Sequence, residues 1–197
     1  GGNFCSYALK SDGTVWAWGA NSSGQLGDNT TLQRNTPVQV LGPSAVGFLT
    51  DITAISAGRD GLHCLALKND GTVWAWGDNG FGQIGDNTQF NQYSTPVQVH
   101  GYNDLGYLTG IISINAGNIH SIALKNDGTV WGWGDDEKGE LGEAIYFVNN
   151  VCCDNILPGT CTSPCSNTSG CSLPSDCCYF SDNLGNALTR LTPVQAL

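Results

Sequence analysis

One string of twelve residues constrains this chain more than any other feature, because it occurs three times. ALKSDGTVWAWG at 8–19 returns as ALKNDGTVWAWG at 66–77 and as ALKNDGTVWGWG at 123–134. Lys10, Lys68 and Lys125 set the copies 58 and 57 residues apart. Three further strings keep that period. GANSSGQLGDNT at 19–30 is followed by GDNGFGQIGDNT at 77–88 and GDDEKGELGEAI at 134–145. TPVQV stands at 36–40 and 95–99, with TPVQA at 192–196, and ITAISAG at 52–58 is matched by IISINAG at 111–117. Self-similarity at a fixed period is the signature of a repeat architecture, in which each unit buries its apolar faces against the next.

Each repeat reads as β structure. Asp70-Gly71 sits between two apolar, β-branched runs, a strong short-range hairpin signal. In Thr72–Trp76, alternation puts Trp74 and Trp76 on one face and Val73 and Ala75 on the other, so both faces are apolar and both need cover. ITAISAG and TPVQV add two more strands, giving about four per repeat. Four-stranded units repeating at this length predict the blades of a β-propeller. Composition agrees: 27 of 197 residues are Gly, roughly double the usual share, and charged residues, at 12%, are about half of theirs.

The copies at 57–99 and 116–142 carry the pattern AGxxHSxALKxDGxVWxWGxNxxGQLGxxxxxxxxxPVxV, which resembles the regulator of chromosome condensation repeat. The resemblance covers nearly all of 1–142 and 184–197. It implies an all-β fold of propeller blades, each of four antiparallel strands, in a family whose rings usually have seven blades. It also implies kinship with secreted bacterial binding proteins of that family. The expected organisation is three repeats over 1–142, with blades at about 1–50, 51–108 and 109–142. A Cys-rich loop insertion at 143–183 interrupts the third, and 184–197 supplies its closing strand. GGNFCSYALK aligns with AGNIHSIALK, so the chain is expected to start just after an ITAIS-type strand and to stop just before the next. That register suits either a fragment of a longer ring or copies joined head to tail. The lack of any Met suits a processed or partial chain.

The insertion holds Cys152, Cys153, Cys161, Cys165, Cys171, Cys177 and Cys178 among Ser, Thr, Pro, Gly and Asn. So few apolar residues cannot hold one shape unaided, and disulfides in an oxidising compartment are the expectation. A thiolate metal cluster through Cys161, Cys165 and Cys171 is the alternative, although only one pair has knuckle spacing. Cys5 occupies the repeat position of His63 and His120, and Cys64 that of Ser6 and Ser121. Their side chains therefore leave opposite faces of equivalent strands, and a mutual bond looks awkward. Cys5 and Cys64 stay disulfide candidates, and because nine cysteines are odd in number, at least one thiol is free, joins another chain or pairs outside this segment.

Other residues carry chemistry only weakly. Asp12, Asp70 and Asp127 recur where the hairpin needs them, the six tryptophans read as inter-blade core, and His63 and His120 read as structural. His100 lies in a Gly/Tyr/Asn loop and is expected to be exposed. The GQLG-type loops lack the Lys-Ser/Thr and helix of a phosphate loop. The run 135–143 contains Asp135, Asp136, Glu137 and Glu140, which could attract Ca²⁺, although the plainer reading is a solvated acidic loop without cofactor. Asn21, Asn29 and Asn167 head glycosylation sequons. Formal charge is −10, which opposes nucleic-acid binding, and no apolar run reaches membrane-spanning length. The function expected is a non-enzymatic, extracellular or cell-surface module binding a protein partner or copies of itself. The turns at Ala20-Asn21, Asp78-Asn79 and Asp135-Asp136, or the insertion, would supply the contact. The rivals are a self-assembling surface fibre and a guanine-nucleotide exchange or chromatin-type factor.

Overall fold

The computed structural model describes residues 4–58, 62–142, 146–148, 151–153 and 189–195. They form antiparallel sheets in the order the repeats require. The first has three strands, β1 (Cys5–Leu9), β2 (Val15–Gly19) and β3 (Arg34–Gln39), side by side. The second has four, β4 (Ile52–Ala57), β5 (His63–Lys68), β6 (Val73–Asn79) and β7 (Asn91–Gln98). The third is β8 (Ile111–Ala116), β9 (His120–Lys125), β10 (Val130–Asp135) and, from beyond the insertion, β13 (Thr189–Gln195). These are propeller blades. In the first blade β1 holds the edge position that β5 and β9 do not, since they are covered by β4 and β8. A small hairpin, β11 (Tyr146–Val148) with β12 (Val151–Cys153), lies within the insertion. The side chains of the seven insertion cysteines, and Asn167, lie outside the described residues.

The recurring DG turn is built identically in each blade. The Asp70 carboxylate accepts from the Thr72 amide at 3.0 Å and the Thr72 hydroxyl at 2.6 Å. Asp12 with Thr14 and Asp127 with Thr129 repeat the pair. Gly71 takes φ +79°, which a residue with a Cβ adopts only with strain. The Thr14 hydroxyl and amide, with Lys10 beside them, hold the Asp12 carboxyl down at about 2. These carboxylates are spent on turn geometry.

Alternation does the rest. Val73 and Ala75, with Leu65 and Leu67 of the paired strand, face the third blade and meet Ala123 and Trp133. Trp76, Cys64 and Ala66 face the first blade and meet Val15, Ala17 and Leu26. The second tryptophan of the second and third repeats is pinned across the gap. Trp76 Nε1 donates to the Gln25 carbonyl at 2.8 Å, and Trp133 Nε1 donates to the Gln83 carbonyl at 2.8 Å. Both rings are fully buried, so Trp76 and Trp133 are inter-blade core, whereas Trp16, Trp18, Trp74 and Trp131, expected to join them, are only half-buried.

The same arrangement corrects the reading of the two blade cysteines. Opposite faces of equivalent strands on neighbouring blades face each other, and Cys5 and Cys64 share one core. They stand where the next pair of blades places His63 and Ser121, whose side chains meet at 3.1 Å. No disulfide follows: Cys64 is a buried free thiol, pushed well above its ordinary pKa by burial and by Cys5. The Cys5 thiol donates to Tyr7 Oη at 3.5 Å, and that hydroxyl donates to the Gln25 carbonyl at 2.8 Å.

Candidate protein-docking surface

The loops between the third and fourth strands, expected to meet a ligand, are closed on themselves. Asn79 is buried; its Nδ2 donates to the Asp86 carboxylate, to the carbonyl and hydroxyl of Thr88 and to Asn91 Oδ1, while Oδ1 accepts from the Ile84 amide. Asn21 does the same for the first blade, with Asp28, Thr30 and Leu32 as acceptors and the Leu26 amide as donor. The amide nitrogen that a glycan would need is thus committed inside the loop, and Asn21 is corrected as an acceptor. Asn29 is exposed, with φ +58°.

The third blade departs from this plan in a way the sequence shows only when the copies are laid side by side. Asp136 replaces the asparagine and Glu140 replaces the glutamine that in the second blade donates from Gln83 Nε2 to Asp78 Oδ2 at 2.8 Å. Both donors have become acceptors. Asp136 Oδ1 still accepts from the Leu141 amide at 3.0 Å and Glu140 still accepts from the Lys138 amide at 2.8 Å. Among the described residues, Asp135 Oδ1 and Asp136 Oδ2 are left buried with no partner, in residues 3% and 1% exposed. Burial first, then Glu140 and Glu137, pushes the Asp135 carboxyl above its usual range. A solvated acidic loop is therefore the wrong picture for Asp135 and Asp136, whose own side chains are closed to a partner. Glu137 pairs with Lys138 at the surface, and among the described residues no three His, Cys, Asp or Glu groups converge as metal ligands.

The histidines have ordinary structural settings. His63 is fully buried against Ser121, whose hydroxyl donates to the Gln83 carbonyl at 2.9 Å. Burial and the nearby His120 hold His63 down at about 4. His100, half-buried rather than exposed, hydrogen bonds through Nδ1 to Asp104 and packs edge-on to Tyr107.

The surface that stands out is one the strand patterns pass over, the connectors from each blade to the next. LGPSAVGFL at 41–49 and HGYNDLGYL at 100–108 fold alike. Each is closed by an isolated bridge, Leu41 to Phe48 and His100 to Tyr107. The Gly42 amide donates to the Gly47 carbonyl at 3.0 Å, and Gly101 to Gly106 at 2.9 Å. Leu49 and Leu108 anchor the connectors in the core. This rigid frame leaves apolar side chains in water at matching places: Val46 and Leu105 are 76% and 79% exposed, Phe48 and Tyr107 54% and 55%. The available sequence signal was the shared Gly-x3-Val/Leu-Gly-Phe/Tyr-Leu spacing.

Known proteins place this fold. The family model for the regulator of chromosome condensation (RCC1) repeat matches residues 12–67 and 70–124, and a second RCC1 repeat model matches 52–83 and 111–140. The chain is 36% identical over 141 residues to the RCC1 domain-containing protein RUG3, mitochondrial, of Arabidopsis thaliana, covering 72% of this chain and 29% of that protein. It is 34% identical over 137 residues to the human probable E3 ubiquitin-protein ligase HERC6, covering 69% of this chain and 12% of the other. The crystal structure of Prp20p from Saccharomyces cerevisiae matches with TM-score 0.57 and 27% identity over 73% of this chain and 31% of that one. The chain thus spans less than a third of these relatives.

They overturn the extracellular or cell-surface location, and with it the secreted bacterial kinship. The relatives come from plant, human and yeast, and RUG3 is named as mitochondrial. The insertion cysteines on which the oxidising compartment was expected lie outside the described residues, and Cys64 of the blades is a buried thiol that packs as a small apolar residue. With more than half its length under the repeat model and its blades assembled strand by strand, the chain belongs to the RCC1 repeat family.

Proposed function

We propose that this chain is part of a propeller that works by binding another protein, with the blade-to-blade connectors as its contact surface. The observation that carries this reading is the repeated pair of exposed apolar side chains, Val46 with Phe48 and Leu105 with Tyr107, on connectors held rigid by backbone bonds. Apolar groups fixed in water at matching positions favour association, since contact removes their surface from water at no cost in loop ordering. The titratable groups best placed to do chemistry are occupied structurally, Asp12, Asp70 and Asp127 in turns and His63 between blades. Prp20p, which binds Gsp1p and histones, offers a precedent for protein partners on this fold. A formal charge of −10 favours a basic partner.

Photo-crosslinking tests the reading. A benzophenone side chain at position 46 or 105 should give discrete adducts in extracts of the source, absent with the same group at position 12, and Phe48→Asp should abolish them. Equal labelling from position 12 would sink it.

A further inference from the structure

A groove of about 560 Å³ runs along the outer strand of the second blade. Its walls include Pro43 of the preceding connector, Trp74, Tyr93 and Pro96 of the blade, and His100 and Tyr107 of the following connector. Two features say what fits it. Trp16 and Trp131 donate their indole N–H groups to the hydroxyls of Thr14 and Thr129, at 3.3 and 2.8 Å. Trp74, at the same repeat position, has a buried Nε1 with no acceptor at all. Of the three, the ring that lines this groove is thus the one whose N–H lacks an acceptor, and that N–H is turned away from solvent. The second feature is β7 itself. It is the edge of its sheet, but Pro96 has no N–H, so an incoming β-strand cannot zip along it. A polyproline II segment needs no ladder, docks between aromatic rings and prolines, and presents unpaired carbonyls to a tryptophan donor.

Charge narrows the partner further. Among the described residues no Lys or Arg lines the groove, and Asp104, bonded to the lining His100 and to Asn87 Nδ2 at 3.2 Å, has its side chain 45% exposed. Asp86 is not available to a ligand, since it is buried, at 8% exposed, as well as bonded by Thr88, Asn79 and the Tyr93 hydroxyl, whereas Asp104 stays open to water. We propose that this groove binds an extended, proline-rich segment of a partner protein, with Trp74 donating to a ligand carbonyl and Asp104 pairing with a basic residue of that segment. The proposal rests on the protein-binding reading above and names the class of partner for one part of that surface. Because Trp74 Nε1 is out of contact with solvent in the free chain, donation requires the ring to turn, which makes its N–H resonance the reporter.

The test is a titration of the ¹⁵N-labelled 197-residue chain with the synthetic peptide acetyl-PPLPPLPPRP-amide. The six indole N–H signals are followed, and Trp74 is assigned by Trp74→Phe. The expected result is a saturable downfield shift of the Trp74 signal. Affinity should fall at least tenfold for the peptide with Glu in place of Arg, and for Tyr107→Ala and Asp104→Asn, exposed positions whose variants keep the blade signals of the parent. A Trp74 signal that does not move at millimolar peptide overturns the proposal. So does equal affinity for the Glu peptide, or for a strand-forming Val-Thr repeat of the same length. Crosslinks from positions 46 and 105 that persist while the peptide fails would leave the protein-binding reading standing and remove only this one.

Discussion

Glu140→Gln should stabilise the third blade, and the second blade shows why. There the glutamine at this position donates to Asp78 at 2.8 Å, whereas in the third the matching atom is a carboxylate oxygen and Asp135 Oδ1 is buried without a partner. The substitution restores a hydrogen bond to a charged group, worth about 1.5–3 kcal/mol, and relieves an unsatisfied buried oxygen, at about 1–3 kcal/mol. Side-chain ordering and the partial exposure of Glu140 take back part of this, leaving a net gain of about 1.5 kcal/mol. For a chain of this size that is a rise in Tm of about 3 °C. Asp135 adds a pH signature. Its carboxyl is raised in the folded chain, so protonation favours folding and the wild type recovers stability as pH falls through the folded pKa. The advantage of Glu140→Gln must therefore shrink between pH 7 and pH 4. Calorimetry at both pH values, with amide exchange at Leu141 as the local probe, measures it. No gain at pH 7, or a gain equal at pH 4, refutes the reasoning. The mirror change Gln83→Glu should cost the second blade a similar amount.

Acid should act through His63. Its folded pKa of about 4 lies below the unfolded 6.5, so the unfolded chain takes the proton first and stability falls as pH drops across that window. The loss approaches about 3 kcal/mol, and urea melts of His63→Gln should show little of it. Trp133→Phe removes a buried donor 2.8 Å from the Gln83 carbonyl and opens a cavity, costing about 2–4 kcal/mol in denaturant melts; Trp131→Phe, on a half-buried ring, should cost under about 1 kcal/mol. Gly85→Ala would set a Cβ 2.7 Å from the Trp133 ring at φ +78°, whereas Gly106→Ala at φ +68° meets nothing within 4 Å. Thermal melts should find the first unfolded or lowered by more than about 3 kcal/mol and the second by about 1 kcal/mol.

Repetition made the blades legible. A hairpin turn of Asp-Gly-Thr and a strand apolar on both faces state their own conformation, because turn chemistry and side-chain alternation are local properties. Alternation placed Trp76 and Trp133 on an apolar face, but it placed Trp74 and Trp131 there too, and those stay half-buried. The candidate site was less legible. The turns at Asn21 and Asn79 were expected to supply contacts to a partner, yet their amides are buried because one side chain can satisfy several backbone groups of a tight loop. Cys5 and Cys64 were placed on opposite faces correctly, but which faces meet depends on the neighbouring blade. The connectors at 41–49 and 100–108 went unread because an apolar residue in a loop says nothing of its exposure until the backbone around it is closed.

By itself, then, the sequence determined the blade: its strands, its turns and the two faces each sheet must bury, all set by interactions within about sixty residues. The tertiary structure decided everything that lies between blades. It joined Cys5 to Cys64's core, gave the Gln25 and Gln83 carbonyls to the next blade's tryptophan, and left Trp74 without an acceptor beside a groove. The physical reason is that local chemistry selects a conformation, whereas burial and hydrogen-bond satisfaction depend on which surface another blade covers.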